Sequence, residues 1–285
     1  MTTTAPGDPR LFAPAHVTVI EPPKGWRMLD WREVWAYREL LWVLSARDVK
    51  VRYKQTVLGA GWALLRPLAS MLIFTIVFGK LARMPSEGYP YAVFVYTGLL
   101  PWLFFSSVFT AAGNSLLGSA NLVSKVYFPR LILPVAAAGS SVLDLLISAM
   151  LLLVLMAWYG ITPTWALAFA PLAFAGLLMA SLGCGILLAA VTVRWRDVTH
   201  VTPFLVQIWM YISPVVFPVS LVPVQWQWAM YLNPVTGIVE AFRGVFLGSP
   251  VNGPGLGISM LVSLALLAAA VVCFERVERR LADII

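Results

Sequence analysis

Charge is scarce in this sequence. Asp, Glu, Lys and Arg supply 12% of the 285 residues, hydrophobic residues supply 60%, and the mean hydropathy is +0.83. Soluble domains carry about 25% charged residues, so a water-soluble fold is excluded: too little polar surface exists to cover the apolar side chains. Only His16 and His200 are present, which leaves almost no material for a histidine-based metal site. Cys184 and Cys273 are the two cysteines. Each lies in an apolar run, where a thiol behaves as a small hydrophobe, and without a CxxC pair no disulfide framework is expected. No GxxxxGK[ST] phosphate loop occurs, so ATP is not bound by that route. GxSxG, HExxH and paired carboxylates are missing too, and neither covalent chemistry nor a cofactor is assigned to the chain. Residues 1–25 are polar and Pro-rich and lack the apolar stretch of a secretory signal. Residues 1–29 are therefore expected to form a flexible cytoplasmic tail.

Apolar length is what the chain has in quantity. A helix needs about 20 predominantly apolar residues to cross roughly 30 Å of hydrocarbon. Six stretches approach or meet that length: 60–80, 91–112, 131–158, 164–191, 201–219 and 256–274. The expectation is an all-α integral membrane protein with six transmembrane helices, residues 30–285 forming one transmembrane domain. With the N-terminus inside, sixteen Lys and Arg fall in cytoplasmic segments, and Lys80, Arg83 and Arg243 fall outside, with Arg66 at the inner end of the first span. That asymmetry follows the positive-inside pattern and places both termini in the cytoplasm. The net charge of +7 thus reflects span-flanking residues and no nucleic-acid partner. Many of the twelve Trp lie near span ends, as in an interfacial belt.

Two further elements stand apart from the spans. Residues 221–247 are long and fairly apolar but contain Asn233-Pro234, Glu240 and Arg243, and a charge at mid-bilayer costs at least ~2.5–3.5 kcal/mol. A re-entrant or outer-surface helical hairpin broken at Pro234 is expected, with Glu240 and Arg243 on one helix side and within pairing reach. Over residues 30–50, about 100° per residue puts Trp31, Val34, Trp35, Leu41, Trp42 and Val49 on one face, while Leu40, Val43 and Leu44 blur the polar one. This predicts an amphipathic helix in the cytoplasmic interface.

Asp144 is the clearest acid inside an apolar run, a functional candidate by default, although its neighbours Ser140, Ser141 and Ser148 equally suit a hydrogen-bonded helix contact. The loop between the second and third spans, Asn121-Leu122-Val123-Ser124-Lys125-Val126-Tyr127-Phe128-Pro129-Arg130 and then Leu133-Pro134, sets aromatics beside cations. Such residues dominate docking hot spots; headgroup anchoring by Tyr127 and Phe128 is the alternative.

This loop resembles that of permease subunits of type-2 ABC exporters for O-antigen, capsule and teichoic-acid polysaccharides. Arg52-Tyr53-Lys54-Gln55-Thr56 with Leu58-Gly59, Trp62 and Pro67 resembles the start of that family's first span. Arg194-Trp195-Arg196-Asp197-Val198 is similar to its loop after span four. Ser213-Pro214-Val215 with Pro218, Asn233-Pro234 and Arg243 resembles its outer gate. The likeness runs from about residue 30 to the C-terminus in order.

The resemblance implies roles. Asn121, Leu122, Lys125, Tyr127, Phe128, Pro129 and Arg130 would form the coupling loop that docks a separate ATPase. Arg52, Lys54, Leu58, Gly59 and Arg66 would receive a lipid diphosphate at the cytoplasmic mouth, where cations pair with phosphate oxygens. Trp102, Phe104, Phe105, Trp209, Tyr211 and Phe217 would line a glycan path, and Asn233, Pro234, Glu240 and Arg243 would belong to an outer gate. It further implies a homodimer in the bacterial inner membrane, two copies of an ATPase that binds Mg-ATP, and an undecaprenyl-diphosphate-linked glycan, with O-antigen preferred over capsule or teichoic acid. The alternatives are a drug or small-lipid exporter of the same superfamily and a polyprenyl-phosphate glycosyltransferase. The enzyme would need a metal-binding acidic cluster, and the outer loops offer Glu87 alone outside the hairpin.

Overall fold

The structure, a computed structural model, describes residues 35–54, 61–123, 125–126 and 128–281, with side chains described as far as 278. The expected tail 1–29, residues 30–34 of the interfacial helix, and Leu58, Gly59 and Tyr127 lie outside the described residues. Every regular element among those described is helical.

Helix α1 spans Arg38–Lys54. Trp35 before it and Trp42 within it point away from the protein, whereas Leu44 is buried and Tyr37, Leu40 and Leu41 pack beside it. The leucines that blur the expected polar face are thus the ones that hold α1 to the bundle. The helix has two apolar sides, one packed on the protein and one facing outward, which is why a one-sided apolar stripe is hard to see in its sequence. The Ser45 hydroxyl donates to the Ala136 carbonyl at 3.1 Å and ties α1 to the helix Ile132–Trp158.

Helix α2, Gly61–Phe74, contains Pro67 and runs on as a π-helical stretch Thr75–Leu81. Most of its side chains face outward. Helix α3, Tyr91–Gly118, is the central pillar, packed by α2, α4 (Ile132–Trp158), α5 (Ala170–Arg194) and the later helix Pro234–Leu247. A 3₁₀ turn, Trp165–Phe169, leads into α5. Against α5 lies the last helix, α9 (Gly253–Leu281). A Cβ at Gly183 would lie 2.9 Å from the Leu267 backbone nitrogen, so glycine is what lets α5 and α9 approach, as small residues do between membrane helices.

Five described helices are long and apolar enough to cross a membrane: Gly61–Leu81, Tyr91–Gly118, Ile132–Trp158, Trp165–Arg194 and Gly253–Glu278. The expected span 201–219 overlaps α6, Val198–Ile212, only 15 residues long. Ser213 leaves the helix with ψ 145°, as a residue before proline prefers. Pro214, Val215 and Val216 then continue as a buried, non-helical stretch. The hairpin region holds α7, Val224–Met230, and α8, Pro234–Leu247. Asn233 caps α8 by accepting from the Val235 amide, Pro234 occupies its first turn, and Gly248 closes it at φ 76°, a left-handed position that favours glycine. Nearly all of α8 is buried, so it is an internal plug rather than a surface cap.

Candidate functional site

A cavity of about 730 Å³ opens between α1, α2, α3, α4 and α6. Its polar wall includes Arg52, Tyr53, Arg66, Ser107, Asn114 and Asp144, with Trp62 and Phe104 among the apolar contributors. Arg52 and Tyr53 end α1, where a cation is favoured by the helix dipole. Asp144 projects from the middle of α4. The Arg52 guanidinium pairs with one carboxylate oxygen of Asp144, and the Tyr53 hydroxyl donates to the other. Burial, reinforced by that carboxylate, pushes the Tyr53 hydroxyl up to about 12, so it stays protonated as a donor. A Ser107–Ser141 hydroxyl contact of 2.8 Å continues the polar wall. The acid singled out in the sequence therefore has a partner, but one 92 residues away, and no local signal pairs them.

Of the residues expected to receive a lipid diphosphate, Arg52 and Arg66 meet in this cavity, while Lys54 is solvent-exposed outside it. The six aromatics expected along a path do not share one surface. Phe104 lines the cavity. Trp102 and Phe105 are 2% and 0% exposed in the core, and Phe105 meets Trp209 edge-on at 4.9 Å. Tyr211 faces outward, and Phe217 is half-buried in the stretch after α6.

A second polar cluster joins that stretch to the hairpin. The Trp209 indole donates to Asn233 Oδ1 at 3.1 Å, and Asn233 Nδ2 donates to Ser213 Oγ at 2.8 Å. The Arg243 guanidinium lies 3.8 Å over the Phe94 ring and donates to the carbonyls of Val215 at 2.9 Å and Phe217 at 3.5 Å. The expected Glu240–Arg243 pair does not form. Glu240 instead accepts from the Tyr231 hydroxyl at 2.7 Å, because α8 turns Arg243 inward to the broken backbone. Burial pushes the Glu240 carboxyl up, and the Tyr231 hydroxyl and Arg243 charge pull it partly back.

The loop after α3 also differs from its sequence reading. Phe128 is 3% exposed, packed with Leu44, Leu116, Ile132 and Phe274. It is neither a free docking anchor nor a headgroup anchor in this fold. Pro129 and Arg130 are half-buried. The Arg130 amide donates to Glu278 Oε1 at 3.1 Å and its guanidinium to the Glu278 carbonyl at 3.2 Å, fastening the loop to α9. Asn121, Lys125 and Val126 are exposed, and Leu122 is half-buried. Phe128→Ala is accordingly expected to destabilise the chain itself by about 3–5 kcal/mol. A clear drop in the melting temperature of the purified protein checks this; unchanged melting would remove Phe128 from the core.

Among the described residues no group of three or more His, Cys, Asp or Glu is placed to hold a metal ion. Residues 39–247 match the family described as ABC-2 type transporter. The chain is 30% identical over 256 residues to the O-antigen export system permease protein RfbA of Myxococcus xanthus, covering 88% of this chain and 97% of that protein. It is 26% identical over 251 residues to a protein of the same name from Klebsiella pneumoniae, covering 87% and 95%. The polysialic acid transport protein KpsM of Escherichia coli is 26% identical over 214 residues, covering 70% and 78%.

Proposed function

This chain belongs to the ABC-2 type transporter family, and from that premise we propose that it exports an O-antigen-type polysaccharide carried on undecaprenyl diphosphate. Family membership makes it a transport subunit, not an enzyme, that works with a separate ATPase. The observation that carries the substrate reading is the similarity, over nearly the full length of this chain, to proteins named as O-antigen export permeases. The cavity supports it: two guanidinium side chains, Arg52 and Arg66, stand in a polar recess that also carries Trp62 and Phe104. Guanidinium suits phosphate, and an aromatic face suits the C–H side of a sugar.

In this reading the protein sits in the bacterial inner membrane as a homodimer with two ATPase copies, each binding Mg-ATP. The exposed apolar sides of α2 and α6 are where a second copy and lipid would cover it. Six spans are counted by extending α6 with the stretch that follows it, both termini are cytoplasmic by the basic-residue asymmetry, and α7–α8 form a hairpin re-entering from outside. Arg52, Lys54 and Arg66, with Leu58 and Gly59, receive the diphosphate. The polar contacts at Asn233 and Arg243 hold the outer gate.

The test is the purified complex in lipid nanodiscs. ATP hydrolysis is expected to rise with an undecaprenyl-diphosphate oligosaccharide and not with hydrophobic drugs; the reverse would establish the drug-exporter alternative.

The ATPase would dock on Lys125 and Val126, the exposed tip of the loop. Lys125→Glu with Val126→Asp should leave the protein inserted but weaken the complex by ~2–4 kcal/mol, the scale of interface hot spots. Co-purification at wild-type levels would discard this docking surface.

A further inference from the structure

We infer that Asp144 is a built-in counter-anion for Arg52, and that a phosphate group loads by displacing it, so that substrate capture is an anion exchange at one guanidinium. This rests on the diphosphate reading above and adds to it the residue that sets how tightly the headgroup is held.

Three observations carry the inference. The Arg52 and Asp144 side chains retain 36% and 31% exposure, so the pair faces the cavity instead of being sealed between helices. Ion pairs this exposed to solvent are weak, and an incoming anion competes with them. A diphosphate competes well, because a phosphate accepts two parallel guanidinium hydrogen bonds and the two phosphates together carry two charges against the carboxylate's one. Next, both carboxylate oxygens are engaged, one by Arg52 and one by Tyr53. When the guanidinium turns to phosphate, the Tyr53 hydroxyl stays on Asp144, so the displaced carboxylate is not left without a donor. Finally, Arg52 also lines a second cavity of about 420 Å³ with Arg47, Asp48, Ser115 and Ser140. It therefore stands where two polar spaces meet, and Arg66 shares only the larger one. Among the described residues Arg66 has no salt-bridge partner, which leaves it as a standing second cation for the group that Arg52 captures.

The carboxylate has a use beyond packing. A cavity with two uncompensated guanidinium groups would hold a diphosphate too tightly to release it onward. Asp144 competes for Arg52 throughout, which lowers affinity and returns the guanidinium to its resting partner once the lipid has moved on.

The test uses this chain with its ATPase in nanodiscs and radiolabelled undecaprenyl diphosphate as the probe, with undecaprenol as the uncharged control. Asp144→Asn frees Arg52, and binding is expected to tighten by up to about fivefold, the scale of losing a competing exposed ion pair, while export slows. Tyr53→Phe removes the hydroxyl that shares the carboxylate, concentrates Asp144 on Arg52, and is expected to weaken binding severalfold. Arg52→Ala should abolish the difference made by Asp144→Asn, since coupled residues are not additive. Mere loosening of α1 would shift Asp144→Asn and Tyr53→Phe in the same direction, and that result overturns the exchange. So does unchanged or weaker binding by Asp144→Asn when the wild type binds the diphosphate. Wild-type protein that binds the diphosphate no better than undecaprenol would instead overturn the substrate reading itself.

Discussion

Replacing Arg243 by alanine should give the largest loss of stability of any single substitution in the segment 213–247. The residue is 2% exposed. Its guanidinium serves the Val215 and Phe217 carbonyls and stacks on Phe94. Those carbonyls belong to the stretch after α6 that leaves the helix at Ser213-Pro214, so they have no helical partners to fall back on. An unsatisfied buried acceptor costs about 1–3 kcal/mol, and a desolvated cation–π contact contributes about 2 kcal/mol. The expected outcome is a large fall in melting temperature with little folded protein recovered. Arg243→Lys should not rescue it, because one ammonium cannot reach two carbonyls and also lie flat on the ring. Gly98 belongs to the same device: a Cβ there would stand 2.6 Å from the Val215 carbonyl oxygen and 3.0 Å from the guanidinium. If Arg243→Ala melts like wild type and exports normally, the clamp is dispensable.

Tethering the hairpin to the end of α6 should stop export completely and reversibly. Asn233 and Ser213 touch directly through their side chains at 2.8 Å, so Asn233→Cys and Ser213→Cys can be joined by a short, reducible bis-thiosulfonate linker. Cys184 and Cys273 are first replaced by alanine. Asn233 caps α8, and losing such a cap costs ~1 kcal/mol, so the unlinked double variant is the reference. If the hairpin swings aside as glycan passes, linked protein should export nothing while still binding its ATPase, and reduction should restore the reference rate. Export by fully linked protein would make the hairpin a static plug. That α8 is buried within the bundle, against α3, α5 and α9, makes the expectation demanding: an opening hairpin must take the Arg243 clamp with it.

Several features of this protein were legible in the amino-acid sequence alone. Membrane residence followed from composition, since 60% hydrophobic residues leave no aqueous solution to the burial problem. The break at Asn233-Pro234 follows from local chemistry, since proline lacks a donor and restricts the residue before it; the same rule acts at Ser213-Pro214, where the expected span runs on to 219. Their consequence for span length was less visible, because residues on both sides of Pro214 are equally apolar. Asp144 and Arg52 each stood out, and so did the loop 121–130.

Which residues face which way had to come from the tertiary structure. In a water-soluble helix the apolar stripe marks the inside. Here lipid and protein interior are alike apolar, so Trp102 and Phe105 in the core carry the same signal as Tyr211 on the outside. Loop position misled in the same way at Phe128, whose ring folds back under α1 and α9 in place of projecting toward a partner. Polar pairing was equally hidden, since Arg52 with Asp144, an ion pair, and Arg130 with Glu278, whose hydrogen bonds each use one backbone group, join segments far apart in sequence. The sequence by itself determined that the chain must live in a bilayer and that the backbone breaks at Asn233-Pro234, because solvation and backbone donors are local properties. Only the packing of the helices decided which polar groups meet, because opposite charges and hydrogen-bond partners find one another through space.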